Sequence, residues 1–106
     1  AKACFLVMNA SKKNFYALND VHSTHINIGS GKEISIRDLT YLIKELIKFD
    51  GDLKFDTTKY DGVFRKKLIS NKIKKLGWKP ETNLKEGLML SIEDFKNRYY
   101  EKNKKM

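Results

Sequence analysis

His25-Ile26-Asn27-Ile28-Gly29-Ser30-Gly31-Lys32-Glu33-Ile34-Ser35-Ile36-Arg37-Asp38-Leu39 is the stretch on which the fold turns. Its first four residues read as a short strand, stopped by Gly29-Ser30-Gly31. Ser35 can cap a helix, with Asp38 three residues later in capping-box position. From there Ile36, Leu39, Leu42, Ile43, Leu46 and Ile47 recur on one face with a 3.6-residue period. Downstream, Asp50-Gly51-Asp52 turns the chain and Leu53-Lys54-Phe55-Asp56 reads as a second strand. Ser70 caps a short basic helix over 71–76 that closes at Gly77, and Trp78-Lys79-Pro80 forms a turn. Asn83 with Glu86 opens a last helix whose expected inward face is Leu84, Leu88, Ile92, Phe95 and Tyr99. Gly87 inside that helix costs about 1 kcal/mol relative to Ala, so close packing against another backbone is expected there. Upstream, Cys4, Leu6, Val7 and Met8 suit the end of a buried or half-buried helix, and the polar run 11–23 reads as a connecting loop. The sum is an α/β chain of about four helices and two or three short strands.

The chain has 106 residues, enough for one modest domain or a piece of one. At that size roughly 60–70% of the unfolded surface can be buried, which supports a single core and no deep cleft between two domains. A hydrophobic fraction of 41% with periodic stretches is that of a globular chain. No apolar run approaches a membrane span, and no signal-peptide pattern opens the sequence. Ala1-Lys2-Ala3-Cys4-Phe5-Leu6 reads as the inside of a helix, so an upstream portion is expected. Cys4, the single cysteine, sits among apolar residues and reads as core packing in a reducing, cytoplasmic compartment. The 22 basic residues against 13 acidic ones give a formal charge of +9, a field that favours anionic partners. Much of that excess is Lys on helix faces and in the tail Lys102-Asn103-Lys104-Lys105, where a solvated surface explains it equally well.

Most candidate chemistry fails on spacing. Gly29-Ser30-Gly31-Lys32 imitates a phosphate-binding loop, but Ile26 stands where its first Gly belongs and Glu33 where Ser or Thr belongs. A carboxylate at that point would repel phosphate, so a tight strand-to-helix turn is the better reading. His22 and His25 lack the further ligands that zinc needs. Tyr100 and Lys104 have the Tyr-x-x-x-Lys spacing but lie in the last turns of the chain without a positioned serine. Neither a catalytic set nor a metal site is expected.

The loop Lys59-Tyr60-Asp61-Gly62-Val63-Phe64-Arg65-Lys66-Lys67 stands apart. Asp61 is an acceptor suited to sugar or ribose hydroxyls, and Gly62 lets the backbone turn or approach a ligand. Arg65, Lys66 and Lys67 follow within reach of the same ligand, and Arg can clamp a phosphate with two parallel bonds. One acceptor beside several cations matches a sugar attached to a diphosphate. On residue chemistry alone, a solvated turn with a local Asp–Arg pair fits as well.

A resemblance bears on that choice. His25 to Gly31 followed by Ile34 to Leu39 resembles the strand–Gly-x-Gly–helix of extended short-chain dehydrogenase/reductases. Phe55-Asp56, Lys59-x-Asp61-Gly62-x-x-Arg65-Lys66, Leu76-Gly77-Trp78 and Leu84-x-Glu86-Gly87-Leu88, in that order, are similar to the C-terminal region of the GDP-L-fucose synthase family. The resemblance implies that the chain, residues 1–106, is the substrate-binding C-terminal fragment of an NADP-dependent epimerase/reductase, inactive alone. The parent would epimerise C3 and C5 of GDP-4-keto-6-deoxymannose and reduce C4, with NADP bound on an upstream Rossmann domain and a homodimeric assembly. The family's substrate contacts carry over to Asp61 and Lys66, with Arg65 shaping the loop or reaching the diphosphate. The chain departs from the pattern at Tyr60 and Phe64, where the family has Pro, and at Ser70, where it has an acidic residue. A related reductase of a GDP-6-deoxyheptose or another nucleotide sugar is the alternative within the class. A small basic nucleic-acid-binding module is the alternative outside it, disfavoured because the aromatics fall on expected core faces and not between the cations. A docking or scaffold domain is the third reading.

Overall fold

The computed structural model describes residues 1–104, with side chains through residue 99. Its elements are α1 (Lys2–Met8), α2 (Lys12–Leu18), α3 (Ile36–Ile47), α4 (Asn71–Lys75) and α5 (Leu84–Lys104). They divide between two compact units: Ala1–Glu33 with Val63–Glu81, and Ile34–Gly62 with Thr82–Met106.

The expected strands do not form. Among the described residues the β pairing is a single bridge between Asp20 and Ser23. At each place side-chain bonds take up the backbone beside the expected strand. Gly29 meets a side chain and not a neighbouring strand: its N–H donates to Ser70 Oγ at 2.8 Å, and the same hydroxyl donates to Gly29 C=O at 2.9 Å. One hydroxyl thus satisfies both backbone groups that a ladder would have used. At the other place, the Asp56 carboxylate accepts from Thr58 N–H at 2.9 Å and from Thr58 Oγ1 at 2.6 Å. That is an Asx turn, which competes with ladder formation.

The unit containing α1, α2 and α4 has a small core: Ile73 is fully buried, with Ala3 and Ser70 almost so. The run read as a connecting loop contains α2, which starts where Ser11 Oγ accepts from Asn14 N–H and rests on half-buried Phe15 and Leu18. In α1, Leu6 and Val7 are half-buried, but Cys4 is exposed and is not a core residue. Ser70 precedes α4 yet makes no side-chain cap bond, because its hydroxyl is committed to Gly29. The helix ends as expected. Gly77 takes φ +95°, a conformation L side chains rarely adopt, and Trp78 N–H reaches back to Ile73 C=O at 3.2 Å.

In the second unit Ser35 Oγ caps α3 at Asp38 N–H. Leu39, Leu42, Ile43 and Leu46 are half-buried, while Ile36 and Ile47 are exposed, so the apolar stripe is narrower than its periodicity suggests. α3 ends at Lys48 in the left-handed region, with Phe49 N–H bonded to Lys44 C=O at 3.0 Å. Asn83 Oδ1 accepts from Glu86 N–H and opens α5, which packs on α3. Leu88 and Ile92 are half-buried there, but Leu84, Phe95 and Tyr99 are exposed. A Cβ at Gly87 would meet only Thr82 Cγ2 at 3.7 Å, ordinary contact, so no backbone presses on that glycine.

Candidate functional site

The 59–67 loop is divided between the units, Asp61 and Gly62 in one and Arg65 to Lys67 in the other. Each end is held by its own unit. Ahead of the loop, Phe55 packs on α3, with the Arg37 guanidinium 5.2 Å from its ring centroid and the Tyr41 ring at 6.2 Å. The Asp56–Thr58 turn follows, and its hydrogen bonds, the Thr58 hydroxyl first, hold the Asp56 carboxyl below its ordinary range. Asp61 comes next, exposed and without a bonding partner among the described residues.

On the other side Arg65 is engaged. Its Nε–H donates to Glu33 Oε1 at 2.8 Å and its Nη2 to Glu33 Oε2 at 2.5 Å, a bidentate fork. The hydrogen bond from Arg65 lowers the Glu33 pKa from its ordinary value, with the charges of Arg65 and Lys67 adding to it; Arg65 is raised in turn by Glu33. The expectation of a local Asp–Arg pair is therefore answered with a different acid, 32 residues away in sequence. In the sequence Glu33 stands out only as the residue that spoils a phosphate loop. Reading by local spacing could not find the pair, since nothing between the two positions marks it.

Lys66, beside Arg65, is exposed and has no partner among the described residues. Tyr60 and Phe64, at the positions of the family's prolines, are fully exposed. Gly31 does not build a dinucleotide loop: α3 starts only at Ile36, and in its first turn Ser35 Oγ accepts from Asp38 N–H and donates to the Asp38 carboxylate. A phosphate there would face an acid, so these residues do not fit a nicotinamide cofactor. The hollow beside α1 and α2, lined by Leu6, Asn9, Ser11, Asn14, Leu18 and Lys75, brings no set of titratable groups together. Among the described residues no three His, Cys, Asp or Glu converge on a metal position. The Tyr100–Lys104 pair falls on side chains outside the described residues. No described helix is long and apolar enough to cross a membrane.

No protein-family model matches the chain. Individual proteins do. The GDP-L-fucose synthase of Sinorhizobium fredii is 49% identical over 71 residues, 67% of this chain and 23% of its own length. GDP-L-fucose synthase 1 of Arabidopsis thaliana is 50% identical over 64 residues, 60% of this chain and 20% of its own. A Methanocaldococcus jannaschii protein, provisionally named a UDP-glucose 4-epimerase, is 40% identical over 91 residues, 86% of this chain and 30% of its own. This chain therefore covers between about a fifth and a third of the length of the relatives it matches. Such relatives are α/β enzymes of the extended short-chain dehydrogenase/reductase class, whereas the described part of this chain is helical and loop. About half of the aligned positions are identical to a bacterial and to a plant protein of that name, so the chain is similar to a part of GDP-L-fucose synthases.

Proposed function

We propose that this chain is the substrate-holding C-terminal region of an NADP-dependent epimerase/reductase that makes GDP-L-fucose from GDP-4-keto-6-deoxymannose. In this reading Asp61 accepts from the sugar or ribose hydroxyls and Lys66 pairs with the diphosphate, while Arg65 shapes the loop between them. The observation that carries it is the pairing pattern within the loop. Asp61 and Lys66 are exposed and unengaged among the described residues, while the neighbouring Arg65 is tied to Glu33. Side chains free of internal partners are the ones a ligand can recruit without first breaking a bond.

The chemistry itself belongs to the rest of the parent enzyme. The nicotinamide would be NADP on an upstream Rossmann domain, in a homodimeric cytoplasmic protein, and this chain by itself would turn nothing over, since it cannot bring hydride and substrate together. The names of the relatives favour this reading over a GDP-6-deoxyheptose reductase and over a nucleic-acid module.

Kinetics of the full-length enzyme test it. Asp61→Ala and Lys66→Ala are each expected to raise KM for the GDP-sugar by roughly tenfold or more, the effect of one lost charge-assisted contact. KM for NADPH should stay within about twofold in both, because neither residue meets the cofactor. Unchanged GDP-sugar kinetics in both variants would remove the site assignment.

A further inference from the structure

We propose that Glu33 is the positioning residue of the substrate loop: by holding Arg65 in a two-bond fork, it leaves Lys66 as the cation presented to the sugar nucleotide. The inference rests on the sugar-nucleotide reading above and deepens it, because Glu33 is given no role in that reading.

The geometry has two fixed points in one unit. Glu33 grips Arg65, and Gly29 grips Ser70 through both of its backbone groups. Residue 33 lies opposite 65 and residue 29 opposite 70, so the two segments run antiparallel, joined by side chains at both ends. A Cβ at Gly29 would stand 3.1 Å from Leu68 Cβ, so the two segments approach closely at the Gly29–Ser70 end. The stretch 66–69 is therefore a short span between two clamps, and Lys66 is its first residue. Glu33 is the more covered partner, its side chain 30% exposed against 70% for Arg65.

Electrostatics select the lysine. The fork uses the Nε–H and one Nη2–H of Arg65 and sets a carboxylate directly behind the guanidinium. A diphosphate approaching Arg65 meets a neutralised pair, whereas at Lys66 it meets a cation with no carboxylate bonded to it. The groups facing Glu33 are Arg65 and, through its charge, Lys67. Both favour the ionised carboxylate. The fork is thus complete at neutral pH, and it loosens as pH falls through the lowered titration range of Glu33.

The test uses the 106-residue chain, labelled with nitrogen-15, and GDP-L-fucose as the probe. The Arg65 Nε–H resonance should be protected at neutral pH, lose that protection in acid, and be unprotected in Glu33→Gln. A fork that does not exist would leave the resonance unprotected in the wild type and overturn the proposal. In titrations followed at the Lys66 amide, Glu33→Gln should weaken GDP-L-fucose binding by roughly tenfold, as expected for a displaced charge-assisted contact. The exchanged pair Glu33→Arg with Arg65→Glu should bring binding back to within about threefold, because the fork is rebuilt in reverse and Lys66 stays free. Failure of that rescue, with Arg65→Lys alone as harmful as Lys66→Ala, makes Arg65 the ligand contact and overturns the positioning role. Wild-type shifts undiminished in Glu33→Gln overturn that role alone. A wild-type chain without any shift overturns the sugar-nucleotide reading and the positioning role together.

Discussion

At the scale of single residues, the one with the most consequence outside the loop is Ser70. Its hydroxyl accepts from Gly29 N–H and donates to Gly29 C=O, and its side chain is almost fully buried. Removing it leaves two partly buried backbone groups without a partner. Ser70→Ala is therefore expected to destabilise the chain by about 1–3 kcal/mol, the cost of unsatisfied buried polar groups. Ser91→Ala is the control: that hydroxyl is exposed and bonds only Gly87 C=O inside α5, so a change within about 0.5 kcal/mol is expected. Thermal melts of both variants decide the matter; equal melting temperatures would show that the Gly29 bonds contribute nothing. The residues of the candidate site were legible to different degrees for a physical reason. Asp61, Arg65 and Lys66 announce themselves by charge within one loop. Glu33 does not, because a fork between positions 32 residues apart depends on how the chain returns to itself.

At the scale of elements, legibility followed whether a signal was local. Ser35 capping α3, Asn83 opening α5 and Gly77 closing α4 each act on neighbours within a few residues. The strands failed because a strand needs a partner that its own sequence cannot supply, and the partner here turned out to be a serine hydroxyl. α2 was missed through its polar composition, although the Ser11 cap and the Phe15–Leu18 spacing were both present. What holds that region is Lys72 of α4. Its ammonium donates to Asn19 Oδ1 at 2.9 Å, to Ser23 C=O at 3.1 Å and to His25 C=O at 3.2 Å. The lysine thus ties the end of α2 and the 23–25 segment to the helix that carries the buried Ile73. Lys72→Met keeps the aliphatic stem and removes the donors. It should cost about 1–3 kcal/mol, and hydrogen exchange should accelerate over 19–25 while α4 keeps its protection. Acceleration spread evenly over the chain would instead mark a general loss of fold.

At the scale of the whole molecule, the surface area sets an upper limit on stability. The chain exposes 9945 Å². A compact monomer of 12.4 kDa would expose about 6,100 Å², and two separate compact bodies of half that mass about 7,400 Å² together. The excess therefore does not depend on how the two units are arranged. It agrees with the residue picture, in which Ile73 and Ala3 are the buried apolar residues among those described, while Phe5, Met8, Phe64, Phe95 and Tyr99 stand largely in solvent. The denaturant slope scales with the surface newly exposed on unfolding, and small proteins give about 1–3 kcal/mol/M in urea. A chain that already exposes so much should lie at or below about 1 kcal/mol/M. Protection from hydrogen exchange should then concentrate around α4 and the Gly29–Ser70 contact, with the second unit, which has no fully buried residue among those described, opening first. Urea titrations followed by far-ultraviolet circular dichroism, with exchange measured in parallel, test both halves. A steep single transition with uniform protection would mean that the chain in solution buries apolar surface that this structure leaves exposed, and that its stability does not rest on the small core around Ile73.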